Sequence, residues 1–177
     1  DTAELSEIFN GNEALIKKYA EKLSISFERV EYAKNNFIRV VKVMKAFILN
    51  DSVKSFLCLN NKLPQENKGL FDIKLLEEFA DAIIKLYGIK GLKGKDLLYS
   101  INSEDYDAKR AEFIQRLSKG EKLFVISSYN TVGAGQNLQY KAPGNATIVA
   151  VNDYDRGDME KDFDCIYLEK PTNLLVN

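Results

Sequence analysis

The chain has 177 residues, 45% of them hydrophobic and 29% charged, with 25 Lys and Arg against 26 Asp and Glu for a net charge of −1. That length supports one domain with a full hydrophobic core and room for a small helical appendage. The charge balance excludes a global basic field, so any nucleic-acid or membrane contact has to be local.

No histidine is present. This excludes a Cys/His zinc site and the Ser-His-Asp and Cys-His catalytic sets, which need imidazole as the near-neutral base. Cys58 and Cys165 each lie in an apolar run and read as buried, reduced thiols. No apolar stretch approaches the ~20 residues of a membrane span, and Asp1-Thr2-Ala3-Glu4 lacks the basic-then-apolar layout of a signal peptide, so a cytoplasmic address is expected. The start at a residue other than Met and the end just after "NLLV" lead us to expect a piece of a longer polypeptide.

In chain order, the pattern is helical from about Glu13 to Leu49. Phe27, Val30, Phe37, Val41, Met44 and Ile48 mark one face of a long helix, with Ser26 as a cap and Asn50-Asp51-Ser52 as its end. Apolar residues nearly encircle that helix after Phe37, which predicts burial. "SFLCL" (55–59) reads as a fully buried strand, and "DIKLLEEFADAIIKLYG" as an amphipathic helix with Leu76, Phe79, Ala80, Ile83 and Leu86 inward and Gly88 as its stop. "DLLYSI" (96–101) is the next strand. In the helix that follows, Ser103 is the expected cap, Glu104 and Asp105 meet the positive end of the dipole, and Gly120 ends it. "KLFVIS", "ATIVAVN" and "DCIYLE" complete the strands. Strands alternating with helices predict an α/β fold, a three-layer parallel sheet covered by helices and joined by crossovers.

The strand "KLFVIS" runs into "SYNTVGAGQNLQY". In a parallel sheet, ligands gather where strands end, and Gly-x-Gly there lets the backbone approach a phosphate. Ser127, Ser128, Asn130, Thr131, Gln136 and Asn137 add hydroxyls and amides, which bind phosphate or ribose but do no acid-base chemistry unaided. A dinucleotide fingerprint G-x-G-x-x-G fails, since Leu138 replaces its last glycine, and no G-x-x-x-x-G-K-S/T phosphate loop exists. "GIKGLKGK" (88–95) reads as a turn with solvated lysines.

A longer window carries a resemblance. "SINSEDYDAKRAEFIQRLSKGEKLFVISSYNTVGAGQNLQY", followed by "DFDCIYLEKPTNLL", resembles the second RecA-like lobe of superfamily 2 helicases and translocases. The features agree in order: an Arg-bearing helix, an apolar strand, a Ser/Thr pair, a Gly-x-Gly-x-Asn-Leu turn, then a strand leading to proline. "SFLCLNN" falls at that lobe's motif IV strand, and the likeness covers roughly residues 52 to 175. It implies a helical N-terminal extension over 1–50 and a RecA-like lobe of the P-loop NTPase type over 51–177.

It further implies phosphate-holding roles for Ser127, Ser128, Thr131 and Gly133, with Ser128 and Thr131 competing for one role. Gly135, Gln136 and Asn137 would face the nucleotide. The Walker A lysine and Asp-Glu pair belong to the family's other lobe, and the chain stops before the arginine motif. The implied partners are a DNA or RNA backbone and a first RecA-like lobe. ATP and Mg²⁺ would serve the intact motor, and this chain alone would be inactive, with no catalytic or metal residue of its own.

Plainer readings stand beside these. A capped strand-to-helix turn is the plainer account of Ser127 to Asn137, against which the surrounding match favours a ligand-facing loop. Lys109, Arg110 and Arg116 read as a solvated surface, the acids from Asp153 to Asp164 as a solubilising loop rather than a Ca²⁺ site, and Tyr129 and Tyr140 as packing residues beside the sheet. A stand-alone α/β binding or regulatory module is the alternative to a motor fragment.

Overall fold

The structure is a computed structural model that describes residues 2–28, 30–60, 72–132, 140–141 and 160–169. It divides into two compact units, Asp1–Asp51 with Lys62–Leu98 and Ser52–Asn61 with Tyr99–Asn177. No helix among the described residues is long and apolar enough to cross a membrane.

The first unit is helical: α1 (Thr2–Ile8), α2 (Glu13–Phe27), α3 (Glu31–Leu49), α4 (Ile73–Leu86) and the single turn α5 (Gly94–Leu97). Asn12 caps α2, its Oδ1 accepting the Leu15 N–H at 3.1 Å, and Asp72 caps α4 through the N–H groups of Lys74 and Leu75. The single long helix expected around Phe27 to Leu49 is instead broken. Glu28 takes a left-handed φ of 42°, its N–H bonding Ser24 O, and Ser26 sits inside α2 rather than capping anything. The break folds α3 back so that Phe27 meets Phe37 at 5.2 Å between ring centroids. Four rings, Phe9, Tyr19, Phe37 and Phe79, then share one core. The buried face of α3 from Phe37 to Ile48 and the inward residues of α4 match the helical period, although Leu86 is only half-buried.

The second unit is built on a four-stranded parallel sheet in the order β2-β3-β1-β6: β1 (Ser55–Asn60), β2 (Leu98–Ser100), β3 (Leu123–Ser128) and β6 (Cys165–Leu168). Between these strands in sequence lie α6 (Tyr106–Ser118), the single turn α7 (Tyr129–Val132), and the short strands β4 (Tyr140–Lys141) and β5 (Glu160–Lys161), an antiparallel pair. The segments "ATIVAVN" (146–152) and 170–177 lie outside the described residues.

β1 and β3 are buried along their whole length. On one face Leu57, Leu59, Leu123 and Val125 pack with Phe113 and Leu117 of α6. On the other, Phe56 stacks on Phe124 at 4.8 Å, and Cys58 and Ile126 are buried. Burial on both faces explains why these strands read as continuous apolar runs. The fold class is α/β, a parallel sheet covered by helices.

Three local expectations give way to stronger local chemistry. Asp96 and Leu97 belong to α5 rather than to a strand, and β2 begins only at Leu98. Ser103 does not cap α6: Asn102 Oδ1 accepts the N–H groups of Glu104 and Asp105 while Asp105 Oδ1 accepts that of Asn102, and the helix starts at Tyr106. Asp164, expected in a solvated loop, instead clamps the start of β1, its Oδ2 accepting from Lys54 N at 2.8 Å and Ser55 N at 3.2 Å. Asp153, Asp155 and Asp158 lie outside the described residues. On α6, Lys109 ties to Asp105 and Ser100 O, and Arg116 to Glu121, consistent with a paired surface.

Candidate site at the carboxyl edge of the sheet

The register Ser55↔Leu123 through Asn60↔Ser128 brings β1 and β3 to an end at the same level. The described strands stop at this edge, and ligands in parallel sheets gather in such a place. The alternation of a strand decides what each serine does. Ser127 shares the parity of Val125, so it points to the α6 side, and its hydroxyl donates to Ile101 O at 3.0 Å. Ser128 shares the parity of Ile126 and lies on the opposite face.

Ser128 Oγ accepts the Thr131 N–H at 3.3 Å and lies 3.0 Å from Thr131 Oγ1, both side chains buried. The two hydroxyls that compete for one role in sequence are thus bonded to each other. Gly133, Gly135, Gln136 and Asn137 lie outside the described residues. Tyr129 and Tyr140 are packing residues: the Tyr129 hydroxyl donates to Glu169 O at 2.6 Å, and Tyr140 is buried with its hydroxyl 2.8 Å from Ser55 Oγ.

Two residues that the sequence did not single out complete this edge. Asn60, 1% exposed, ends β1 directly opposite Ser128, and its Oδ1 accepts a weak bond from Cys58 Sγ at 3.8 Å. Its Nδ2 has no partner among the described residues. A buried amide donor left unmade costs about 1–3 kcal/mol, which marks Asn60 as a candidate contact. Glu169 is the second: its N–H donates to Leu59 O at 2.9 Å, so it prolongs β6 by one residue and lies next to Asn60, with its side chain buried. The signal for both was present in sequence, a polar residue directly after an apolar run ("SFLCL" to Asn60, "CIYL" to Glu169), the same sign that marked Ser127 and Ser128.

Burial, reinforced by the Glu169 carboxylate, pushes the Cys58 thiol up, and burial next to Glu169 raises the Tyr129 phenol too. Cys58 is fully buried whereas Cys165 is half-buried. At pH 8, iodoacetamide is expected to modify Cys165 first and to reach Cys58 only after denaturation, because the thiolate is the reacting form. Peptide mapping of the alkylated chain checks this. Labelling of folded Cys58 at the rate of a free thiol would mean that β1 is not covered.

No protein-family model and no curated protein matches the chain.

Proposed function

We propose that the chain is the second RecA-like lobe of an ATP-driven superfamily 2 helicase or translocase, and that the edge formed by Asn60, Ser128 and Thr131 holds a nucleic-acid phosphate. The supporting observation is the buried Nδ2 of Asn60, without a partner among the described residues, beside Ser128, where two central parallel strands end together. An amide donor and two hydroxyls suit phosphate oxygens and read no base sequence. ATP and Mg²⁺ enter through a first lobe, whose closure would shift this grip along the strand. The second reading, a stand-alone α/β module, draws on the internal bonding of Ser127, Ser128 and Thr131, which leaves their hydroxyls to local structure.

Fluorescence anisotropy with labelled single-stranded DNA and RNA separates the two. Ser128→Ala with Thr131→Ala removes the hydroxyl pair and takes the Ser128 Oγ acceptor from the Thr131 N–H, so stability should fall by about 1–2 kcal/mol while affinity drops about tenfold. With the first lobe present, nucleic-acid-stimulated ATP hydrolysis should fall in parallel. Unchanged affinity for both strands sinks the assignment, and absence of binding by the wild-type chain favours the stand-alone module.

A further inference from the structure

The segment from Ala82 to Lys95, between Asp81 and Asp96, holds Lys85, Lys90, Lys93 and Lys95 and not one acid, in a chain whose net charge is −1. All four lysines are exposed, and none forms an ion pair among the described residues. Lys85, in the last turn of α4, complements the negative end of that helix. The dipole does not reach Lys90, Lys93 or Lys95, which leaves three cations without a structural role.

The loop that carries them is pinned to α4 at both ends. At its start the Gly88 N–H donates to Lys85 O at 3.2 Å and the Ile89 N–H to Ile84 O at 3.0 Å, with Gly88 at φ 65°. At its end the Gly94 N–H donates to Asp81 Oδ1 at 2.7 Å, and a Cβ on Gly94 would lie 2.7 Å from Glu77 O, so only glycine fits. Asp81 is thereby occupied, and Asp96, which directly follows Lys95, is engaged in an interaction of its own. A fixed loop loses little entropy when its lysines engage a ligand.

An aromatic ring stands at the base of the loop. Tyr87 is partly exposed, and Lys45 Nζ lies 5.2 Å from its centroid, which adds a further cation to the patch. We propose that Tyr87, Lys90, Lys93 and Lys95, with Lys45, form a binding surface for single-stranded nucleic acid, the lysines meeting phosphates and the tyrosine stacking on a base. Point charges spaced by glycine through the turn after α4 and into α5 meet a phosphate backbone without reading sequence, and an exposed ring selects unpaired bases. The surface lies wholly in the first unit. It shares a ligand class with the proposed function but none of its residues.

The test measures the affinity of the full chain for a labelled single-stranded oligonucleotide between 50 and 200 mM salt. Changing Lys90, Lys93 and Lys95 together to Gln should flatten the dependence of log K on log salt by about 2, since each released contact on a single strand is worth about 0.7. Tyr87→Ala should weaken binding at least fivefold and leave the salt slope unchanged, because stacking releases no counterion. A triple variant with wild-type slope, or vesicles rich in phosphatidylserine binding with the same sensitivity to that variant, overturns the inference. If the wild type binds and only the Ser128/Thr131 pair matters, the lysine surface falls and the proposed function stands. If only the lysine and tyrosine variants lose affinity, the reverse holds, and a wild type that binds nothing removes both.

Discussion

Replacing Phe79 by Ala should cost the first unit about 3–5 kcal/mol, the largest single loss expected in this chain. Phe79 is fully buried on α4, and its ring meets Tyr19 at 4.4 Å and both Phe9 and Phe37 at 5.6 Å. Those three come from α2, from the residue following α1, and from α3, so one side chain joins four segments. Truncation removes the transfer free energy of a whole ring and leaves a cavity whose lining belongs to separate helices, which cannot all collapse inward at once. The tilted and stacked pairings add about 0.5–1.5 kcal/mol beyond area. Phe79→Leu, which keeps most of the volume, should lose far less. Urea unfolding followed by far-ultraviolet circular dichroism reads the midpoint shift; a loss below about 1 kcal/mol for Phe79→Ala would show that the rings do not form the core.

Asn60→Leu carries the second large effect, and its sign is opposite for stability and for function. Leucine has the same branched shape without the buried Nδ2 donor, so the substitution should stabilise the chain by about 1–2 kcal/mol. Among the described residues, the bond lost is the weak one from Cys58 Sγ. The same change removes the donor proposed to meet a phosphate, so oligonucleotide affinity should drop about tenfold, equivalent to about 1.4 kcal/mol. Gain of stability with loss of binding is the mark of a group kept for a ligand against the interest of the fold. Destabilisation by more than about 1 kcal/mol would instead mean that the amide is satisfied in solution and serves packing alone.

Asn60 also shows how far the site could be read in advance. The turn after β3 combines glycines with hydroxyls, whereas Asn60 lies in "SFLCLNN", a strand match that assigns no role to its amide. Only the pairing of β1 with β3 sets Asn60 opposite Ser128. Ser127 and Ser128 are adjacent and chemically identical, yet the pleat sends the first to Ile101 O and leaves the second to Thr131. The glycines and amides assigned to the nucleotide side, Gly135, Gln136 and Asn137, lie outside the described residues.

The sequence by itself determined the α/β class, the spans of α4, β1 and β3, and the absence of any histidine chemistry, because apolar period and composition are local properties of the chain. It did not determine the break between α2 and α3, where Glu28 takes a left-handed backbone with neither glycine nor proline to announce it. That turn follows from the packing of Phe27 on Phe37, a contact between residues that local pattern places on one continuous helix. The carboxyl edge was decided in the same way. Which polar groups stand side by side there depends on strand order and register, and those are set by long-range pairing that no window of sequence contains.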